Sequence, residues 1–235
     1  MTVDYDELWT ESWGDAQDFS PVHRHITRIL VDTVRRLPDV KSILDVGCGT
    51  GANLEALQRE LGIEDITGID LSDKAMDVAR RRVRGEFSVF DVMADAPLPR
   101  KYDLVMTSQV IEHVEQDDLF LEKLHAMCGR YVFVGTIQGK MRKSEVSIGH
   151  QRNYTRAGLE AKMRAAGFDI VRAIEWGFPF FSPLYRTTRE LLGGDSAAVG
   201  QSGWHKPVLA SLYHLYRLNS HTHGDILMVL GKPRA

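Results

Sequence analysis

The 235-residue chain has two cysteines, Cys48 and Cys128, too few for a disulfide framework or a four-cysteine zinc site. Charge of one sign is missing as well. Twenty-nine Lys and Arg face 32 Asp and Glu, so the formal charge is −3 and no global basic field draws the chain to nucleic acid. Long apolar runs are absent: the longest uncharged, mostly apolar stretch, Trp176 to Tyr185, is half of what a membrane span needs. The first residues, MTVDYDELW, are acidic and do not read as a secretory signal. No internal repeat is found. What remains is an ordinary globular composition, 43% hydrophobic and 26% charged, which excludes collagen-like and disordered classes. The expectation is a cytoplasmic protein with no nucleic-acid partner and no stable membrane insertion.

Apolar positions Val22, Ile26, Ile29, Leu30, Val34 and Leu37 recur at helical spacing, with Pro21 at the start and Pro38 as the stop. The period then changes. Short strands are expected at 41–46, 66–70, 86–90, 102–107, 130–135, 168–175 and 226–230. Helices are expected between them at 53–61, from the Ser72 cap to about 83, at 117–127, and from the Thr155 cap to 166. Strands alternating with helices predict an α/β fold, a doubly wound sheet with helices on both faces. In such sheets ligands bind beyond the carboxyl ends of the strands, so functional residues are expected there. One domain over 1–235 is the reading, with 1–37 as a lid and helix and 177–225 as an insert too long for a plain connection.

Ile43-Leu-Asp-Val-Gly-Cys-Gly-Thr-Gly51 is the sharpest feature. Glycines at 47, 49 and 51 permit a tight strand-to-helix turn, and amides near a helix N-terminus favour an anionic group. Asp70 closes the second strand, where a carboxylate can accept both hydroxyls of a ribose. Asp91 closes the third and can accept from an adenine amino group, with Val92 and Met93 beside it for packing. Asp45 precedes the glycines. Asp45 and Asp91 can equally accept turn amides. The spacing is G-x-G-x-G, not the G-x-G-x-x-G of nicotinamide dinucleotide sites, which disfavours a hydride-transferring enzyme.

Leu-Asp-Val-Gly-Cys-Gly-Thr-Gly, then Gly-Ile-Asp-Leu-Ser, then Tyr-Asp-Leu-Val-Met resembles the class I S-adenosylmethionine-dependent methyltransferases, over about residues 41 to 176. The resemblance implies a Rossmann-like seven-stranded sheet whose last strand is antiparallel between the fifth and sixth. It implies S-adenosyl-L-methionine as cofactor, with Asp45 and the amides of Gly47, Gly49 and Gly51 toward the methionine part, Asp70 toward the ribose and Asp91 toward the adenine. Cys48, Leu71, Val92 and Gln109 complete the candidate cofactor contacts. Cys48 reads as a small filler rather than a nucleophile.

Methyl transfer from a sulfonium needs alignment and exclusion of water. A hydroxyl acceptor must also lose its proton. His113, in Ser108-Gln-Val-Ile-Glu-His-Val114, is expected at the edge of the fourth strand. This run resembles the Glu-x-x-Glu-His of ubiquinone-biosynthesis-type O-methyltransferases, but Gln109 replaces the first Glu, so no metal is expected. His150, in Gly149-His-Gln-Arg-Asn-Tyr-Thr155, is a second candidate base in a segment that resembles the His-x-Arg-x-Tyr-Thr of small-molecule methyltransferases. Arg152 and Tyr154 are candidates to hold the acceptor's oxygen, or else Tyr154 packs and the charges are solvated. Lys140, Arg142 and Lys143 form a local basic patch.

Lids are expected from the aromatic segments. Trp13, four residues from Trp9, is a candidate acceptor contact or a staple to the core. Trp176 to Tyr185, with Phe178 and Tyr185 as candidate acceptor contacts, suits an apolar wall, a membrane-surface patch or a homodimer contact. His214, His221 and His223 lack fitting zinc partners. The leading reading is methylation of a small molecule, at a hydroxyl rather than an amine. A cofactor-binding protein without turnover is the non-enzymatic alternative, and it would need neither His113 nor His150.

Overall fold

The computed structural model describes residues 16–187 and 206–234. Ser42–Val46 (β1) is buried along its whole length, as a strand covered on both faces must be. It is followed by Ala52–Leu61 (α2), Asp65–Asp70 (β2), Asp73–Arg82 (α3), Glu86–Val89 (β3) and Tyr102–Ser108 (β4). Asp117–Met127 (α4) leads to Cys128–Ile137 (β5), then to the short Lys143–Ser147 (α5) and Arg156–Ala165 (α6). Phe168–Trp176 (β6), Lys206–Tyr216 (α7) and Ile226–Pro233 (β7) complete the chain after the leading helix Pro21–Val34 (α1).

These strands form one seven-stranded sheet in the order β3-β2-β1-β4-β5-β7-β6. β1 through β5 pair in parallel, and β7 lies antiparallel between β5 and β6. The expected topology is therefore present, with the last strand where the resemblance puts it. Alternation along each strand sorts the core. Ile43, Leu104, Met106, Phe133 and Met228 face α1, α2, α3 and α7. Leu44, Val46, Val105, Val132, Val134, Leu227 and Val229 face α4 and α6.

One expected boundary moves. α1 ends at Val34 and closes through the Arg35 and Arg36 amides, before Pro38 could act as its stop. α7 packs on α1. The Ser72 and Thr155 caps form as expected: their hydroxyls accept from Ala75 N and Gly158 N, each at 3.1 Å. Among the described residues no helix is long and apolar enough to cross a membrane.

Candidate active site

Gly47, Gly49 and Gly51 all have left-handed φ, of 76°, 53° and 79°, so the loop between β1 and α2 needs residues without a side-chain penalty. At Gly47 the need is also spatial, because a Cβ would lie 2.3 Å from Val110 Cγ2. The loop amides do not stand free as expected. Gly47 N and Cys48 N both donate to Ile69 O, and Gly49 N donates to Asp70 Oδ2 at 2.9 Å. The turn is tightened on the end of β2, and that fixed turn is what it offers a ligand. Asp70 Oδ1 also accepts from Ser72 N, so its carboxylate ties the loop to the start of α3.

Asp45 is the unmatched group here. Both carboxylate oxygens are buried and have no hydrogen-bond partner. Burial, with Asp70 as a second cause, pushes its carboxyl well above the usual range. A buried carboxylate lacking a donor fits a cationic group such as the ammonium of an amino-acid ligand. Gln109 repeats the pattern. It is held at φ 60°, rare for a residue with a side chain, and its Nε2 is buried without a partner. Leu71, beside Asp70, is exposed although apolar. Cys48 is buried, and burial raises its thiol, so it is a filler and no nucleophile.

Asp91 takes the local option. Its Oδ1 accepts from Met93 N at 2.8 Å and Ala94 N at 3.2 Å, closing the turn after β3. Val92 packs against the core on the α4 and α6 side. Asp91 Oδ1 thus takes the turn-amide role that the sequence also allows.

Beyond β4 the chain makes a single 3-10 turn, Ile111–His113, that sets Glu112 inward and His113 toward the next loop. The His113 and His150 rings meet edge to face, with centroids 4.6 Å apart and planes at 76°. Burial, then the neighbouring His150, pulls His113 down to about 4, and burial lowers His150 as well. Both rings are therefore neutral near neutral pH. Glu112 lies fully buried beside them, and burial pushes its carboxyl up to about 7. Its Oε2 accepts from Thr136 Oγ1 at 2.8 Å, while Oε1 has no partner. The sequence shows Glu112, but only the fold reveals that it belongs with both histidines.

Donor atoms of Glu112, His113 and His150 lie within 4.8 Å of one another, close enough to share a metal. The set offers one carboxylate and two imidazoles. That does not fit Mg2+, which takes oxygen ligands in octahedral geometry.

Arg152 and Tyr154 both find partners within the chain. Arg152 donates to Val114 O at 2.7 Å and Glu115 O at 2.8 Å, and pairs with Asp117 at 3.1 Å. The buried Tyr154 hydroxyl donates to Asp117 Oδ2 at 2.7 Å. Their polar atoms fasten the His150 segment to the chain that follows His113, and for Tyr154 this is the packing role that the sequence equally allows. Phe178 faces solvent. Tyr185 instead stacks on Phe181 and meets Tyr216 edge to face, in an aromatic group with Trp176 and His25. Trp13 lies outside the described residues, as does Trp9. His221 and His223 are exposed.

The comparisons agree with this geometry. A family model described as a methyltransferase domain matches residues 19–173. A ubiquinone biosynthesis O-methyltransferase from Sinorhizobium medicae is 26% identical over 65% of this chain and 68% of that protein. One from Nitrosospira multiformis is 34% identical over 47% of this chain, spanning 48% of the relative's length. Phosphoethanolamine N-methyltransferase 2 of Haemonchus contortus, solved with S-adenosyl-L-methionine, superposes with a TM-score of 0.68 at 17% identity, over 100% of this chain and 61% of that one. The chain belongs to the methyltransferase-domain family. It is a class I, S-adenosylmethionine-dependent methyltransferase with the Rossmann-like sheet of that class.

Proposed function

We propose that this enzyme methylates a hydroxyl group of a small molecule in the cytoplasm. The observation that carries the reading is the His113–His150 pair, two neutral imidazoles in contact just beyond β4. S-adenosylmethionine supplies, when bound, a methyl group on a sulfonium whose departure leaves a neutral thioether. Asp45, Asp70, Leu71 and Gln109 hold the cofactor, and the glycine turn lets it lie close against the backbone. The imidazole pair takes the hydroxyl proton. A hydroxyl needs that service at neutral pH, whereas an amine that arrives unprotonated does not. The balanced charge of −3 supports a small molecule over nucleic acid.

The test is a panel of quinone-like, sugar and natural-product hydroxyls set beside primary amines, with labelled S-adenosylmethionine as donor. His113→Gln and His150→Gln are each expected to lower kcat by about 10²-fold or more, as loss of a general base does. S-adenosylhomocysteine binding should be unchanged in both, and a chelator should leave the rate as it was. Transfer to amines alone, or full activity in both variants, would overturn the hydroxyl reading. The related N-methyltransferase makes the amine arm a real alternative.

A further inference from the structure

Glu145 and Arg186 belong to none of the motifs in the sequence, yet they meet in the interior next to His150. Both are buried, at 6% and 8% exposure. The Arg186 guanidinium donates to Glu145 Oε1 through one nitrogen and to Asp225 through another. The other Glu145 oxygen, Oε2, accepts from Arg142 N and from Asn153 Nδ2, each at 2.8 Å. The backbone carbonyl of Glu145 accepts from His150 N at 3.0 Å. One acid thus holds both ends of the segment 142–153, and one arginine holds that acid to the start of β7. Arg186 directly follows Tyr185 of the aromatic group, so the same ion pair joins the aromatic wall to the loop that carries His150.

We propose that Glu145 and Arg186 are positioning residues that hold the His150 ring edge-on to His113. A surface ion pair would not justify this, because exposed pairs contribute little. Here both partners are buried: removing Arg186 strands the Glu145 carboxylate, and removing Glu145 leaves Arg186 with Asp225 as its acid partner and frees α5, a helix of five residues, from the pair. The segment would then relax, and the ring it carries would leave its contact. The consequence for catalysis rests on the reading of the imidazole pair as proton acceptor. The structural claim does not.

The test uses the full chain carrying ring-labelled histidine. Contact at 4.6 Å between ring centroids gives a nuclear Overhauser cross-peak between the His113 and His150 rings, assigned by its loss in His150→Gln. Arg186→Met and Glu145→Gln are expected to abolish that cross-peak while S-adenosylhomocysteine still binds at the glycine turn. Arg186→Lys, which keeps the charge, is expected to restore part of it. If Arg186→Met does not fold, Glu145→Gln, which keeps the shape of the side chain, carries the test. A cross-peak of undiminished strength in a folded Glu145→Gln or Arg186→Met protein would overturn the proposal.

On an acceptor found by the panel above, kcat is expected to fall by about 10²-fold, the cost of misplacing a reacting group, with KM for S-adenosylmethionine unchanged. If the cross-peak is lost and kcat holds, the positioning claim stands and the proton-acceptor reading fails.

Discussion

At Gly47 two independent demands meet on one atom: a left-handed φ of 76° and a Val110 methyl 2.3 Å from where a Cβ would sit. Gly47→Ala is therefore expected to push Val110 away from the turn and weaken S-adenosylhomocysteine by more than tenfold. It should also destabilise the fold by about 1–3 kcal/mol. Calorimetric titration and a denaturant melt check the two effects separately. Glu112 gives a prediction of opposite sign. Its carboxyl is raised to about 7 by burial, so the native state holds the proton more tightly than the unfolded chain does. That stability is fully present below the unfolded value near 4.5 and is lost as pH rises through 7. Glu112→Gln keeps the shape without the charge. It should match the wild type at pH 5 and exceed it at pH 8, by at most about 3 kcal/mol. Urea melts at the two pH values measure the difference, and equal gaps at both would refute the assignment of the shift to Glu112.

At the scale of elements, α6 illustrates how much was legible beforehand. Its cap at Thr155, its span and the strand after it follow from hydroxyl chemistry and period alone, and all are present. Thr155→Ala should lower stability by about 1 kcal/mol and leave cofactor affinity untouched, as loss of an N-cap does. A cap is a local feature, which is why the sequence suffices for it. The partners of Arg152 and Tyr154, just before that cap, are not legible in the same way, because Val114, Glu115 and Asp117 lie 37 or 38 residues earlier in the chain. Tyr154→Phe removes a buried hydroxyl from the Asp117 carboxylate and should cost about 1–3 kcal/mol. If the pair instead held an acceptor, the same change would raise KM for the acceptor and spare the melting point. The short α5 and the Glu145–Arg186 pair escaped notice for the same reason. Five residues carry no period, and an acid among Lys140, Arg142 and Lys143 looks solvated until the fold buries it.

Across the whole molecule, two histidines on different elements share one electrostatic response. His25, on α1, lies between Trp176 and Tyr213, with its Nε2 2.9 Å from Tyr213 O. His113 lies beyond β4. Both are pulled down to about 4, first of all by burial. For His25 the arginines Arg28, Arg24 and Arg217 lower it further. A depressed histidine contributes stability that is present above its unfolded value near 6.5 and is lost as pH falls through 4. The unfolding free energy should therefore decline over that window, by at most about 3 kcal/mol for each ring. The two contributions separate by substitution. His25→Gln should flatten the acid limb while leaving the contact between His113 and His150 intact, since His25 packs against α7 and the end of β6 rather than the loop that carries His150. His113→Gln should flatten it too and remove activity. Unfolding followed from pH 7 to pH 4 in the wild type and both variants decides the matter, and an acid limb equally steep in all three would show that neither ring governs it.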